Sequence, residues 1–352
     1  DITEYRYRGA SPKNYVTFNN EVWRIIGIFP TDDGTGNIEN RIKLVRNESI
    51  GTQYWDTNGT YGSNNWARPA DLNTYLNETY YNSINNLSQN MIANSKYYLG
   101  GNKSASSITT IQMYQYERKI SGSNYFSINN PTSWVGKLAL MYASDYGYAS
   151  DNCETKLLYE LNDDASKDIR ACNQTNWLYN IKTYEWLLPH FVGDSRAFFV
   201  GSTGYIYINY IKSNQMAVRP TLYLKPNVQI MDGDGTSSNP YVLALDGKVV
   251  LPTIDGYEIF ENNFIISVTQ GTYLLDKYCV LNNDNNPDNC TWTDVTTSSN
   301  KISNDRCCLG IDLKRNTNYN FNIFLKDKKN NIVRKTYDYY QSGIPAPCAC
   351  FN

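Results

Sequence analysis

Tyrosine and asparagine alternate with isoleucine in one short segment of this sequence, GYIYINY. With the two-residue period of a β-strand, Tyr205, Tyr207 and Asn209 share one side, and Ile206 and Ile208 share the other. Large rings on a side that should meet water indicate recognition chemistry, because tyrosine offers contact area at low entropic cost together with a hydroxyl. The alternatives are that the rings pack beneath a long polar loop, or that they reflect A/T-rich codons.

Few side chains are suited to catalysis or metal binding. The single histidine, His190, excludes most hydrolase triads and all sites with several histidine ligands. Adjacent carboxylates such as Asp32 and Asp33 fall in turns, and the DGDG segment that begins at Asp232 lacks the later glutamate of a calcium loop. No glycine-rich phosphate loop is present. We therefore predict no catalytic residue, no metal and no cofactor, and hence that the chain is not an enzyme.

The eight cysteines occur in even numbers in the two parts of the chain, as disulfides within domains require. Zinc binding is the alternative, but the adjacent and near-adjacent cysteines lack the usual spacers between zinc ligands. Cys153 should pair with Cys172, and Cys279 should pair with Cys290 across an asparagine-rich loop. Cys307 and Cys308 should pair with Cys348 and Cys350, and which of the two takes which partner stays open.

Charge and hydropathy restrict the partners of this chain. Its 32 basic and 34 acidic residues almost balance, so nothing attracts nucleic acid or an anionic membrane in general. No apolar run approaches the ~20 residues of a membrane span. With the disulfides, this predicts an extracellular protein, secreted or held at the cell surface, with no direct membrane contact and with any export or anchoring segment outside this sequence.

The elements that would position the tyrosines include strands, two helices and a loop. A tight hairpin is predicted around Asn19 and Asn20, and a turn through DDGTG leads into a third strand. Helical spacing predicts one helix over RPADLNTYLNETYYNSI and a second over SQNMIANSKYYLGG. Residues 101–133 are polar and predict a long loop. Aromatic-rich strands follow later in the chain.

The pattern changes near Lys248, after a segment with proline and glycine that is typical of a linker. Beyond it, short alternating strands without helices predict an all-β sandwich. We therefore predict two domains, residues 1–247 and 248–352.

Several segments of the first domain resemble a known family: YVTFNNEVWRIIGIF, RIKLVRNES, WVGKLALMYASDYGYA and AVRPTLYLK. They are similar to a domain of unknown function found in surface and pilin-like proteins of anaerobic Gram-positive bacteria. That domain resembles the C-type-lectin-like fold of formylglycine-generating enzymes and retroelement-diversified variable proteins. The last third resembles bacterial immunoglobulin-like modules. The resemblance implies an α+β C-type-lectin-like domain followed by an all-β immunoglobulin-like sandwich.

In the variable proteins, ligand-contacting side chains project from the last strands and loops before the closing Arg-Pro segment. Carried over to this sequence, the resemblance implies a set of ligand-binding residues: Tyr184, Trp186, His190, Tyr205, Tyr207, Asn209, Tyr210 and Asn214. We expect a bacterial binding or adhesion protein that recognises a glycan, peptide or protein. The alternative is a structural subunit of a pilus or filament whose partners are copies of itself, and an enzyme is the third and least favoured possibility.

The predicted surface needs a rigid base. We expect Ile206, Ile208, Phe199 and Val218 to face the core and hold the strands, so that little ordering entropy is lost on binding. Arg219, in the closing strand, should be structural, with its guanidinium bonded to buried carbonyls or a carboxylate. The loops over 193–196 and 212–215 would border the surface.

Overall fold

The computed structural model describes residues 3–60, 62–127, 129–179, 183–296 and 300–348. Strands account for 38% of the chain and helices for 13%, so sheets set the architecture of this mixed α and β protein. The chain divides into two compact units, Asp1–Gly247 and Lys248–Asn352. The division falls at the position where the change in sequence pattern places the domain boundary.

Most strands of the first unit are short. Over the described residues they are β1 (Tyr5–Arg6), β2 (Tyr15–Phe18), β3 (Glu21–Asp32), β4 (Ile38–Arg46), β5 (Thr52–Gln53), β6 (Ser95–Tyr98), β7 (Ser133–Gly136), β8 (Leu138–Ala139), β9 (Glu185–His190), β10 (Arg196–Val200), β11 (Ile206–Tyr210), β12 (Met216–Ala217), β13 (Thr221–Tyr223), β14 (Val228–Asp232) and β15 (Tyr241–Leu245).

These strands form two main sheets and a separate hairpin within the described residues. The larger sheet has the order β14-β15-β2-β3-β4-β13-β8, and β1 also pairs with β3. The smaller sheet has the order β11-β10-β9-β12-β5, and β6 pairs with β7. The strand that carries the alternating tyrosines, β11, therefore lies at one edge of the smaller sheet.

The predicted hairpin at the start of the larger sheet is confirmed. β2 and β3 pair in register from Phe18 opposite Glu21, which leaves a two-residue turn between them. Asn19 and Asn20 both have positive φ, 56° and 57°. A two-residue hairpin turn needs left-handed backbone at both positions to match the strand twist, and asparagine tolerates it better than most residues.

The helices are short. In the described part of the chain they are α1 (Asp71–Thr74), a π-helical segment (Tyr75–Tyr80), α2 (Tyr81–Ser83), α3 (Asn86–Met91), α4 (Thr110–Glu117), α5 (Ala143–Tyr148) and the 3₁₀ segments Ile169–Thr175 and Pro287–Asn289. The first predicted helix is confirmed over residues 71–83. The second predicted helix is too long, because it ends at Met91 and its last part forms β6.

The prediction of an irregular loop over residues 101–133 is wrong in its centre, where α4 forms. Thr109 caps this helix, since its hydroxyl accepts from the Gln112 amide N–H at 3.3 Å and the Gln112 side chain accepts from the Thr109 amide at 3.0 Å. This Thr-x-x-Gln capping box is a recognised helix start. Met113 and Glu117 are buried, which fixes the helix against the core.

A buried ion cluster ties the larger sheet to α5. Lys43 of β4 donates to Asp145 at 2.6 Å, and Arg6 donates to the same carboxylate at 3.0 Å. Burial alone would raise the pKa of Asp145, but the two cations outweigh it and hold the pKa near 2. Asp145 also accepts from the Tyr142 amide at 3.0 Å and thereby orders the first turn of α5.

The second unit consists of antiparallel strands around an aromatic core. Its strands over the described residues are β16 (Thr253–Phe260), β17 (Asn263–Thr269), β18 (Leu275–Asn282), β19 (Thr293–Asp294), β20 (Lys301–Asp305), β21 (Thr317–Asp327) and β22 (Ile332–Gln341). One sheet has the order β16-β17-β20 and the other β19-β18-β21-β22. Residues from both sheets, among them Phe264, Ile302 and Phe321, share one buried cluster.

Disulfides form at Cys153–Cys172, at Cys279–Cys290 and at Cys307–Cys348. The first two confirm the predicted pairs, and the third settles the partner of Cys307. Cys350, one predicted partner for the terminal pairing, lies outside the described residues, so the pairing predicted for Cys308 stays a prediction. These disulfides are consistent with an extracellular protein.

Over the described ranges, none of the helices combines the length and the apolar character that crossing a bilayer would require.

Candidate ligand-binding face

The register of the smaller sheet decides which side chains accompany the alternating tyrosines. Tyr207 of β11 pairs with Phe199 of β10, and Phe199 pairs with Trp186 of β9, so these three share one face. Ile206 and Ile208 point to the opposite face and are buried, as predicted. Phe199 is also buried, as predicted, although its pairing with Tyr207 places it on the tyrosine side of the sheet.

Four tyrosine rings cover Phe199 or one another, and we call Tyr159, Tyr184, Tyr205 and Tyr207 the tyrosine face. Ring centroids lie 5.6 Å apart for Tyr184 and Phe199, and 6.4 Å apart for Tyr205 and Phe199. Tyr159 packs on Tyr207 at 4.4 Å and on Tyr205 at 5.6 Å. Edge and tilted contacts at such distances stabilise aromatic clusters, so the face has a firm aromatic base.

The segment closed by Cys153–Cys172 supplies Tyr159. The Ile206 amide at the start of β11 donates to the Leu158 carbonyl at 3.0 Å, which places the next residue over the rings of the strand. The alternative prediction was that the polar loop over 101–133 covers the tyrosines. It is wrong about the covering segment, because Tyr159 packs on these rings. The cover is partial, since Tyr159, Tyr205 and Tyr207 are only half-buried.

Exposed side chains lie within the face and at the end of its edge strand. Tyr184, a member of the face, is 48% exposed. Tyr210 is 49% exposed and Asn214 is also exposed, but the register of β11 puts Tyr210 opposite Arg196, on the isoleucine side of the strand. The Arg196 guanidinium lies 5.5 Å from the Tyr210 ring centroid and bonds Asp194 at 2.7 Å. The structure therefore places Tyr210 and Asn214 where a ligand can reach them, within or beside the predicted border loops.

A second arginine borders the opposite end. The Arg170 guanidinium lies 5.7 Å from the Tyr205 ring centroid, and it bonds Asp168 at 2.7 Å and Asp163 at 2.6 Å. The sequence analysis missed Tyr159 and Arg170 as members of the site, whereas Arg196 falls in the predicted border loop over 193–196. The predicted Cys153–Cys172 pair was the available signal for the first two, since it encloses Tyr159 and Arg170, but it did not show where the enclosed segment packs.

The hydroxyls of the tyrosine face make no hydrogen bond to any residue that the structure describes, whereas several buried tyrosines of the same unit bond internal oxygens. The Tyr146 hydroxyl donates to the Gly204 carbonyl at 2.9 Å, and that of Tyr142 donates to the Tyr98 carbonyl at 3.0 Å. Burial raises the pKa of Tyr205, so its hydroxyl stays protonated at neutral pH and can donate.

Two residues that were predicted to bind ligand are buried instead. Trp186 is buried, and its indole N–H donates to the Gln53 carbonyl at 3.0 Å. His190 is 3% exposed, and burial lowers the pKa of its imidazole to about 4, so it is neutral and internal. Both lie on β9, which has neighbours on both sides and is buried at every position. Alternation therefore says nothing about exposure along this strand.

The predicted structural role of Arg219 is confirmed. Its guanidinium donates to Glu185 at 2.9 Å and to the Leu178 carbonyl at 3.0 Å, and both charged residues are buried. Burial raises the pKa of Glu185 while Arg219 opposes the shift. Val218, which was predicted to face the core, is fully buried. This pair anchors the closing segment beneath the sheet that carries the tyrosine face.

A metal centre has no support in the described residues, where no three histidine, cysteine, aspartate or glutamate side chains come together to bind an ion. The chemistry available at the tyrosine face is non-covalent. Rings can stack on sugar C–H faces or on apolar side chains, hydroxyls can bond polar groups, and the bordering arginines can pair with anions.

Comparisons with known proteins do not place the chain in a family, since neither a protein-family model nor a curated protein sequence matches it. Among solved structures, the Clostridium perfringens spore cortex lytic enzyme SleM matches with a TM-score of 0.20 and 16% identity. The match covers 34% of this chain and 39% of that chain.

The prediction that this chain is not an enzyme is not upheld by this comparison, in which the matching structure is a lytic enzyme. At a TM-score of 0.20 the likeness shows no enzyme role for this chain either. The function must therefore be argued from the geometry of the site.

Proposed function

We propose that this chain is a secreted or surface-displayed bacterial binding protein, an adhesin, whose tyrosine face recognises an extracellular glycan or protein. The observation that carries the proposal is the set of half-exposed rings whose hydroxyls make no hydrogen bond to a described residue, although every ring is held by aromatic neighbours. A rigid amphipathic surface of this kind binds with little loss of side-chain entropy.

The finer fold assignment belongs to the same proposal. The first unit would be a C-type-lectin-like binding domain, and the second would be an immunoglobulin-like spacer. Two antiparallel sheets with a common core support the second assignment. The disulfides support display outside the cell, where such bonds persist.

Replacement of two rings of the face tests the proposal. The double variant Tyr184→Ser with Tyr207→Ser should lower the melting temperature only modestly, because Tyr184 is 48% exposed and Tyr207 is half-buried on an edge strand. The wild-type chain is first tested on an array of glycans and immobilised extracellular-matrix proteins. The affinity of the double variant for the member that the wild-type chain binds should be lower by about tenfold or more. Tyr340→Ser is the matched control, since Tyr340 is 54% exposed in the second unit.

Three outcomes would contradict the proposal. In the first, the wild-type chain binds no member of the array, and in the second, the double variant binds as well as the control. In the third, the double variant loses only self-association, measured by analytical ultracentrifugation. That result would favour the filament subunit, in which copies of the chain are the partners.

A further inference from the structure

The first unit contains a cleft of about 250 Å³ that is separate from the tyrosine face. It lies where the end of β3, the strand β6 and the C-terminal end of α4 meet. Six side chains that line it carry the argument: Glu4, Asp32, Lys96, Tyr98, Tyr114 and Arg118. Two cations, two carboxylates and two phenol rings therefore face a space large enough for one small polar molecule.

Arg118 is the most informative of these side chains. Its guanidinium carbon lies 3.5 Å from the Tyr114 ring centroid, and Nη1 donates to the Tyr114 carbonyl at 3.3 Å. Nε and Nη2 make no hydrogen bond to any residue in the described ranges, and Nη2 only approaches Glu4, at 3.9 Å. The side chain is 23% exposed. A stacked guanidinium with two unused donors is arranged to bind a carboxylate in bidentate fashion.

Glu117, which precedes Arg118 in the sequence, leaves much of the positive charge of Arg118 available to a ligand. Glu117 is buried and accepts from the Ser144 amide at 3.0 Å and from the Ser144 hydroxyl. Burial raises the pKa of Glu117 to about 7, although Arg118 opposes the shift. Glu117 is therefore substantially protonated at neutral pH, and its 3.4 Å contact with Arg118 neutralises the guanidinium only in part.

Lys96 brings the second positive charge. Its ammonium group lies 3.1 Å from Asp32 and 5.7 Å from the Tyr98 ring centroid, and its side chain is 30% exposed. Asp32 is already bonded by the Gly34 and Gly36 amides at 2.7 and 3.0 Å, which fixes its position. Lys96 keeps donor capacity beyond this single pair, because an ammonium group has three donors.

The remaining lining suits a hydroxylated ring. Tyr98 presents aromatic surface on which the C–H face of a sugar can stack, whereas the Tyr114 ring is covered by the Arg118 guanidinium. Glu4 accepts from the Tyr114 hydroxyl at 2.5 Å and from Arg6 at 3.1 Å, and its oxygens can also accept from a sugar hydroxyl. A neutral sugar would leave the unused donors of Arg118 unpaired, and a bare anion would leave the Tyr98 ring uncovered.

We propose that this cleft binds an acidic sugar residue of the uronic acid class. Its carboxylate pairs with Arg118 and Lys96, its ring stacks on Tyr98, and its hydroxyls donate to Glu4. This site is independent of the tyrosine face, so either can fail without the other.

Calorimetric titration of the full chain tests the proposal with glucuronate, glucose and acetate as probes. Glucuronate should bind saturably, and glucose and acetate should each bind about tenfold more weakly or not at all. Arg118→Gln should weaken glucuronate binding by about tenfold or more, and Lys96→Gln should weaken it less. Lys119→Gln is the control, because it removes the same charge from an exposed position outside the cleft.

Absence of glucuronate binding to the wild-type chain would overturn the proposal, as would equal affinity for glucose or for acetate. Equal losses in the Lys119→Gln and Arg118→Gln variants would show only a general charge effect and would also overturn it. If Arg118→Gln does not fold, as judged by its melting curve, Lys96→Gln decides, and unchanged affinity in that variant rejects the site.

Discussion

Two tyrosine-rich regions of this chain use the same side chain differently. In the second unit, Tyr257, Tyr319 and Tyr339 pack around Phe321, and Tyr337 packs on Tyr257. Each of these four hydroxyls donates to an oxygen of the same unit. On the tyrosine face of the first unit, the rings pack on one another, yet their hydroxyls make no hydrogen bond to a described residue.

The difference shows that an abundance of tyrosine does not by itself indicate a binding surface. Both regions gain stability from ring contacts. In the second unit the hydroxyls also contribute to the fold, because a buried or half-buried polar group needs a partner. Where the hydroxyls lack internal partners, the same polar capacity remains available to a ligand.

Removal of a core ring from the second unit should have the largest effect. Phe321 is fully buried between tyrosine rings, so Phe321→Ala should cost about 3–5 kcal/mol of unfolding free energy through lost burial and the cavity left behind. Denaturant unfolding measures this loss. Tyr184→Ala, at a half-exposed position, is the comparison, and an equal cost there would mean that both clusters are core.

Removal of the Cys153–Cys172 disulfide should have the second largest effect on stability. The double change Cys153→Ala with Cys172→Ala opens a loop with a sequence separation of 19, and the chain-entropy model assigns such loops about 3 kcal/mol. Tyr159 would lose its tether over Tyr207, so ligand binding at the tyrosine face should weaken as well. Unchanged stability together with unchanged binding would show that the covering segment contributes to neither.

The two units should also differ in their response to pH. Burial raises the pKa of Glu117 from its ordinary 4.5 to about 7, so between these values the folded state keeps a proton that the unfolded state has lost. The stability contributed by Glu117 is therefore greatest below pH 4.5 and declines as the pH rises toward 7. Tyr257 has its pKa raised to about 12 by burial and does not titrate in this range.

Glu117→Gln should flatten this decline, since glutamine carries no proton to lose. Unfolding free energies of the wild-type chain and the variant, measured across the acid and neutral range, provide the test. Parallel curves for the two proteins would contradict the assignment to Glu117.

The smallest expected effect isolates the hydroxyl. Tyr319→Phe should cost about 1–2 kcal/mol, because the hydroxyl donates to the Asp312 carbonyl at 3.2 Å and accepts from the Lys314 amide. Tyr207→Phe should leave stability within about 0.5 kcal/mol, since no described residue bonds that hydroxyl. Paired unfolding measurements compare the two, and a comparable loss for Tyr207→Phe would mean that its hydroxyl is already engaged in the fold.

Local patterns predicted several elements well. The Asn19-Asn20 hairpin and the helix over residues 71–83 follow from neighbouring residues alone. Cys153–Cys172 follows because these are the only two cysteines of the first domain, and Cys279–Cys290 follows because the two bracket one loop. The helix α4 was missed although its Thr-x-x-Gln start was readable, because the polar composition around it favoured a loop.

The candidate site was predicted only in part for a physical reason. Alternation along β11 separates Tyr205 and Tyr207 from the isoleucines, since neighbouring side chains on a strand point to opposite faces. It cannot show what lies across the sheet. Phe199 belongs to the tyrosine side because of its register with Tyr207, and Trp186 is buried because β9 is an internal strand.

By itself, the sequence determined the alternating strand, the even distribution of cysteines and the structural role of Arg219. Only the tertiary structure decided that Tyr159 covers the rings of β11, that His190 is internal, and that Arg118 meets Lys96 and Glu4 in one cleft. The first group depends on backbone periodicity and on chemistry that acts over a few residues. The second depends on contacts between segments far apart in the chain, which packing of the whole unit selects.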